Sequence, residues 1–292
     1  FIPIMRGCNN FCSYCIVPYT RGRERSRDPK TIIHEATQLF ESGYKEITLL
    51  GQNVNSYLWK EDESSLDFAD LIEKMALISP LLRVRFATSH PKDISDKLIY
   101  TIAKYPNICK YIHLPVQSGS TAVLKKMNRV YDREYYLERI RTIKNVIPDI
   151  ALSTDILSGF CGETEQDHQN TLSIMKTVEF SSAFMFRYSV REGTKAAEKF
   201  EDDVPDEVKA RRLEEIIALQ QELSLENNKK DIGKVFEVLV EGVSKRSDKK
   251  MFGRTSQNKV CVFPREEAKV GDYIHLKVMQ CTAGTLLAEI VK

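Results

Sequence analysis

The stretch Cys8-Asn9-Asn10-Phe11-Cys12-Ser13-Tyr14-Cys15 places three thiols within eight residues, separated by three and then two intervening positions. A loop this short cannot carry its sulfurs further apart than one metal centre is wide. Three is the informative count. Structural zinc is closed by four ligands and a plant-type iron–sulfur cluster takes four cysteines, so a tight triple without a local fourth points to a cluster with one iron left open for substrate or cofactor. Two other readings stand beside it: a zinc site completed by a distant residue such as His113, and three thiols that are merely buried together.

Upstream of the triple, the apolar run from Ile2 to Met5 reads as a short strand that delivers the loop. Downstream, helical and strand patterns alternate. Helical spacing covers 30–40, with apolar Ile32, Ile33, Ala36, Leu39 and Phe40, and Gly43 ends it. Strands are expected at 47–50, 84–87, 111–114, 150–157 and 183–188, separated by helices at about 66–78, 94–104, 132–146 and 163–178. Six strands alternating with helices imply an α/β fold with a parallel sheet wound by right-handed crossovers. Polar residues crowd the strand ends, at 51–57, Ser89-His90-Pro91, 117–120, 153–159 and Arg187-Tyr188-Ser189. Parallel α/β folds bind ligands beyond the carboxyl ends of their strands, so five such ends in succession read as one shared site.

Pro205 with Asp206 and Glu207 opens a long helix to about 228, after which the pattern changes to period two. Five short strands, at 235–240, 251–255, 259–263, 273–278 and 286–291, imply a small all-β barrel. The expected organisation is a first domain over 1–228, including the connecting helix 205–228, and a second over 229–292. Charge follows the same division: the chain carries +2, but 229–292 hold 13 Lys and Arg against 8 Asp and Glu, net +5, which leaves −3 for the rest. Such an appendage suits phosphates. Lys245, Arg246, Lys249, Lys250, Arg254 and Lys259 crowd one hairpin region, with Phe252 among them as a stacking or a core residue.

No apolar run approaches the length of a membrane span, and no signal peptide is visible. Seven unevenly spaced cysteines are no disulfide framework, and metal-binding thiols need a reducing compartment, so a cytoplasmic location is expected. The chain begins at Phe1 with its key motif near the edge, and a further region upstream is expected.

With Tyr14 directly before the third cysteine, the C-x3-C-x2-C spacing resembles the radical S-adenosylmethionine (SAM) enzymes. The following string, Ile16-Val17-Pro18-Tyr19-Thr20-Arg21-Gly22-Arg23-Glu24-Arg25-Ser26-Arg27, looks like their methylthiotransferase branch. That branch attaches a methylthio group to tRNA adenosine or to a ribosomal-protein aspartate. The resemblance implies a partial (β/α)6 barrel, and the tail is similar to the TRAM domain, an OB-like RNA-binding barrel. It further implies that Cys8, Cys12 and Cys15 hold three irons of a [4Fe–4S] cluster whose fourth iron takes SAM. Gln52, Asn53, Ser89, Gln117, Ser118, Asp155, Gly159, Glu163 and Arg187 are the implied SAM-binding residues; no catalytic side chain is assigned. Cys161 stands where the family has proline and is expected, like Cys109 and Cys281, to be an ordinary buried residue.

The segments Gln52 to Tyr57, Thr88 to Pro91 and Met127-Asn128-Arg129 look like the enzyme of that branch acting on N6-isopentenyl adenosine beside the anticodon. Threonylcarbamoyl-adenosine tRNA and a ribosomal protein are the alternative substrates, and a non-catalytic RNA-binding module whose three cysteines hold zinc is the alternative function. Implied partners are a tRNA anticodon stem-loop, contacted by Arg21, Arg23, Arg25 and Arg27 as well as by the tail, and an electron donor such as flavodoxin or ferredoxin. The chain is expected to be monomeric and to meet no membrane. A second [4Fe–4S] cluster is implied on an N-terminal domain, because Cys109, Cys161, Cys261 and Cys281 fall in four separate segments. Removing residues from about 230 onward is expected to weaken tRNA binding, with a shallower salt dependence, and to leave uncoupled SAM cleavage largely unaffected.

Overall fold

The computed structural model describes residues 1–291. β1 (Ile2–Pro3), β2 (Glu46–Leu50) and β3 (Arg83–Phe86) form one parallel sheet, with Ile2 beside Leu49 and Ile47 beside Val84. β4 (Tyr111–His113), β5 (Ala151–Ser158) and β6 (Ser182–Arg187) form a second, with Tyr111 beside Ala151 and Ser182 beside Ser153. The halves meet at a Val84–Ile108 bridge, where Cys109 N donates to Val84 O at 2.9 Å. The outcome is an open, six-stranded parallel half-barrel with its crossover helices outside.

Alternation along the strands decides which side faces the helices. In β5, Leu152 and Ile156 are buried against them while Ser153 and Asp155 look inward. The crossover helices begin on capped ends: Asp67 and Thr164 close capping boxes with Asp70 and Asp167, and Ser95 and Asp132 accept from the third helical amide. A hairpin of Leu58–Glu61 with Ser64–Asp67 and the short helix Thr121–Lys126 were not foreseen; each is too short for its period to register.

The long helix, Asp206–Lys229, packs by a face that is mostly polar: Lys209, Arg212, Ile216, Gln220, Ser224 and Asn228 are its buried residues. These side chains bond the loop that enters β6 at the edge of the half-barrel and, at the far end, the tail. Gln220 donates to Phe180 O at 2.9 Å, Ser224 to Ser181 O at 3.0 Å and Asn228 to Thr282 O at 2.9 Å. A connector that must bond loop carbonyls cannot show a clean apolar stripe.

In the tail, β7 (Val235–Val243), β8 (Lys250–Thr255), β9 (Val260–Pro264), β10 (Tyr273–Cys281) and β11 (Leu286–Ile290) close a barrel in the order β7-β8-β9-β11-β10. Its core is Val238, Val240, Met251, Cys261, Phe263, Leu276, Val278 and Leu286.

The tail is bonded to the half-barrel rather than hung beside it. Its β8–β9 turn forms the floor of the half-barrel at the amino ends of the strands. Arg83 Nη1 donates to Arg254 O at 2.8 Å, and Arg85 donates to Thr255 O and Ser256 O at 3.3 Å each. Ser256 Oγ accepts from Lys110 N at 2.8 Å, and the Arg83 guanidinium lies over the Tyr273 ring at 5.1 Å. The Arg83 and Arg85 side chains are only 5% and 7% exposed, so the carbonyls that satisfy them belong to the half-barrel as much as to the tail. Two inward arginines on a strand were the available sequence signal.

At the carboxyl ends, two non-glycine residues sit in left-handed backbone, Thr88 at φ 68° after β3 and Gln117 at φ 70° after β4. For a β-branched threonine this is a true outlier, of the kind that persists where surrounding structure imposes it near a site. Thr88→Gly should therefore raise stability by roughly 1 kcal/mol, read as a higher denaturant midpoint; a lower midpoint would show that Thr88 is unstrained.

Candidate cluster and cofactor site

The thiol loop is built between two anchors. Met5–Arg6 pairs antiparallel with Arg25–Ser26, and at the turn-in Gly7 holds φ 81° with the Arg23 carbonyl oxygen 2.1 Å from where a Cβ would stand. Only glycine fits there, which gives the Arg6-Gly7 preceding the first cysteine its physical reason. On the other side Ser13 N donates to Met127 O at 2.9 Å, Ser13 Oγ to Lys126 O at 2.9 Å and Asn128 Nδ2 to Phe11 O at 2.7 Å. Below, Tyr14 sets its ring edge-on to Phe160, with centroids 6.4 Å apart, above a small apolar cluster of Val123, Met127, Phe160, Cys161, Tyr188 and Ala196. Cys161 is thus the buried apolar residue expected. Cys109 is buried too, whereas Cys281 is half-exposed on the tail, a departure from expectation at an edge of β10.

Nothing in the loop ties the three sulfurs to one another. A tetrahedral zinc, with Zn–S near 2.3 Å, would draw them to about 3.8 Å apart. Among the described residues, ligand atoms of three His, Cys, Asp or Glu residues converge within 4.8 Å only at Glu165, His168 and Glu215. That trio is neutralised: Arg211 pairs with both glutamates and Arg212 with Glu165. Three free thiols on one loop leave each sulfur able to take its own iron of a cluster. His113 is also unsuited to a fourth zinc ligand, since Nδ1 meets Ser153 Oγ at 2.8 Å and Nε2 meets Asp155 Oδ1 at 3.3 Å. The zinc reading is thus left without the fourth ligand it named. Burial pushes the Cys8 and Cys15 thiols up, which favours their protonated form in the absence of a metal.

Arg129 belongs to this site, though the sequence reading used it only as part of a resemblance. Its Nη1 donates to Cys12 Sγ at 3.3 Å, Nη2 to Pro115 O at 3.1 Å and Nε to Tyr131 OH at 2.9 Å. Among the described residues it makes no ion pair with a carboxylate, and a half-buried guanidinium in that state fits an anionic group at the loop. Spacing could not reveal this, because Arg129 arrives from 117 residues away.

The strand ends bring together most of the residues assigned to SAM. Asn53 is buried, with Nδ2 donating to Asp93 at 2.6 Å while its Oδ1 has no partner; Asn55 Nδ2 and Ser158 Oγ are likewise orphaned. Ser89 Oγ bonds Asn55 Oδ1 at 3.1 Å. Buried polar atoms without partners at strand ends are what a polar ligand site shows before the ligand supplies the missing bonds. Gln52 lies half-buried beside Asn53, Gln117 is the strained residue after β4, Asp155 looks inward from β5, and Arg187 is exposed at the end of β6.

Three of the assigned residues act on the loops. Ser118 Oγ accepts from Ser120 N at 3.2 Å and meets Thr171 Oγ1 at 3.4 Å. Gly159 holds φ 74° with Lys209 Cγ 2.3 Å from a would-be Cβ. Glu163 turns away from the mouth, accepting from Gly159 N at 2.9 Å and pairing with Arg212 at 3.0 Å.

The basic residues form two separate surfaces. Arg21, Arg23 and Arg25 are exposed beside the mouth, whereas Arg27 is held by Glu35 at 2.6 Å. Lys245, Arg246, Lys249 and Lys250 are exposed at the far end of β8, beyond the floor. Arg254 pairs with Glu241 at 2.5 Å, and Lys259 pairs with Asp231. With about 3.4 Å per residue over β8 and a barrel strand, mouth and tail loop stand on the order of 30 Å apart. An RNA touching both has to run along the side of the molecule.

A parallel half-barrel that offers three unpaired thiols and unsatisfied polar groups at the carboxyl ends of its strands is the scaffold of an enzyme that binds an iron–sulfur cluster and a polar cofactor. The chain belongs to the radical SAM superfamily, whose family model matches residues 2–175, and a TRAM domain model matches 229–291. Superfamily members carry a [4Fe–4S] cluster and SAM, and the thiols, Arg129 and the orphaned atoms fit both groups.

Similar over its full length is the tRNA-2-methylthio-N(6)-dimethylallyladenosine synthase of Phocaeicola vulgatus, 57% identical across 100% of this chain and 64% of that protein. The protein of the same name from Porphyromonas gingivalis is 52% identical across 100% of this chain and 63% of its own length. The chain thus spans about 64% of the curated relatives it matches. Among solved structures, coproporphyrinogen III oxidase (HemN) from Escherichia coli superposes with a TM-score of 0.54 at 12% identity, over 95% of this chain and 65% of that one. The radical SAM methyltransferase TsrM from Kitasatospora setae gives 0.54 at 14% identity, over 67% and 38%. Both likenesses speak for the fold alone. No helix among the described residues is long and apolar enough to cross a membrane.

Proposed function

We propose that this chain is the radical-generating and RNA-binding part of a tRNA methylthiotransferase that modifies C2 of N6-dimethylallyl (isopentenyl) adenosine next to the anticodon. The observation that carries the reading is end-to-end identity above 50% to synthases of that name, through both the thiol loop and the tail barrel. When bound, the cluster and SAM supply an electron and a 5′-deoxyadenosyl radical able to take hydrogen from a C–H bond. Cys8, Cys12 and Cys15 hold the cluster. Arg129 places positive charge against the Cys12 sulfur, and Asn53, Asn55 and Ser158 offer SAM the hydrogen-bonding atoms that the protein leaves open. Tyr14, Phe160 and Tyr188 wall the loop from below, with Phe160 and Tyr188 centroids 5.0 Å apart, and keep water from the reacting atoms.

The sulfur source lies outside these residues. Cys109 sits at the floor beside Arg85, Cys161 under the thiol loop and Cys261 in the tail core, while Cys281 is half-exposed on β10; no two share a site. A second cluster on an upstream domain fits that gap. The partners are a tRNA anticodon stem-loop and a small electron carrier of the flavodoxin or ferredoxin kind. This chain alone should bind about four irons and cleave SAM, and should form no methylthio-adenosine until the upstream region is restored. Iron quantitation and mass spectrometry of tRNA nucleosides test both halves. About eight irons and full product from these 292 residues would overturn the assignment of sulfur to an upstream domain.

A further inference from the structure

β6 is the edge strand of the half-barrel, and its two faces differ sharply. Ala183 and Met185 pack into the main core, whereas Phe184 and Phe186 are 56% and 55% exposed. The register settles where they face. Phe184 lies beside Asp155 and Phe186 beside Leu157, and Asp155 looks into the barrel with His113, so both phenylalanines line the inner wall. The His113 ring stands edge-on to Phe184 at 5.7 Å and 80°, and its nitrogens are fixed by Ser153 and Asp155, so the Phe184 wall is braced. A core residue would not leave half of an aromatic ring open to a concave, otherwise polar interior.

The rim above this wall is cationic. Arg187 ends β6, Arg191 follows, and Arg21, Arg23 and Arg25 line the same mouth; all are exposed, and none makes an ion pair among the described residues. An aromatic wall below a cationic rim is the footprint of one extruded nucleotide, with its phosphates at the arginines and its base inside.

We propose that Phe184 and Phe186 form the platform for the target purine of the RNA, with the base stacked on Phe186 near the mouth and the apolar N6 substituent against the deeper Phe184. This rests on the reading of the chain as an RNA-modifying enzyme and adds the residues that select its base. The alternative occupant is protein from the part of the relatives' length this chain does not cover.

Fluorescence anisotropy with the cluster-loaded chain separates the cases, using anticodon stem-loops that carry dimethylallyl-adenosine, plain adenosine or an abasic residue at the target position. The native chain should favour dimethylallyl-adenosine over the abasic site by roughly tenfold, the worth of one stacked base. Phe186→Ala should erase that preference, and Phe184→Ala should erase the part due to the alkyl group, with abasic binding unchanged in both. Phe184→Leu and Phe186→Leu keep apolar bulk and should restore the alkyl contact but not the stacking. Variants that bind all three RNAs in the native ratios would overturn the platform while leaving the RNA reading intact, and would assign the wall to a protein segment. A native chain that binds none of the RNAs would overturn that reading, and the platform with it.

Discussion

A Cys12→Ala chain should stay folded and produce no detectable 5′-deoxyadenosine. Cys12 contributes one of three sulfurs on a loop held from outside by Ser13, Asn128 and Gly7, so the backbone keeps its path when the thiol is removed. The main core lies below the mouth and loses nothing. Truncating one small buried thiol costs about 1 kcal/mol, a shift of a few degrees in Tm. The chemical loss is complete, because the nearest thiol outside the triple, Cys161, is buried in the apolar cluster under the loop, and Arg129 is left facing an apolar methyl. Iron content, Tm and 5′-deoxyadenosine yield measured on one preparation test this. Normal 5′-deoxyadenosine from the variant would remove the cluster from Cys12; loss of the folded state would show that the loop is part of the core.

Ending the chain at residue 229 should damage the half-barrel as well as RNA binding. Arg83 and Arg85 would lose the carbonyls of Arg254, Thr255 and Ser256, and the Lys110 amide would lose Ser256 Oγ. Hydrogen bonds to a charged group are worth about 1.5–3 kcal/mol each, so even after water reaches the opened floor the loss is several kcal/mol against a total of about 5–15. Glu46 still pairs with Arg85 at 2.9 Å, but Arg83 keeps no acid once Glu237 is gone. The shortened chain should unfold at markedly lower temperature and lose SAM cleavage together with tRNA affinity. An unchanged melting temperature with full SAM cleavage would show that the floor is dispensable. Arg83→Ala in the whole chain asks the same question without removing the basic loop; it should lower Tm and leave the salt dependence of RNA binding unchanged.

The linear order of the amino acids determined whatever is local or periodic. The three-thiol spacing is legible because eight consecutive residues cannot place their sulfurs in different sites. The strand and helix alternation is legible because an outward face buried against helices repeats with a fixed period, as Leu152 and Ile156 do in β5. The change to period two after residue 229 announced the tail barrel in the same way. Tertiary structure alone decided what depends on distant segments meeting. Arg129 reaches Cys12 across 117 residues, Glu163 turns to Arg212 instead of to the mouth, and the β8–β9 turn becomes the floor of another domain. The burial of the polar face of Asp206–Lys229 depends on loop carbonyls with no side-chain signature, so the tertiary structure alone reveals it. In β6 the alternation shows that the strand has two faces, and only closure of the half-barrel shows that Phe184 and Phe186 lie on the open one.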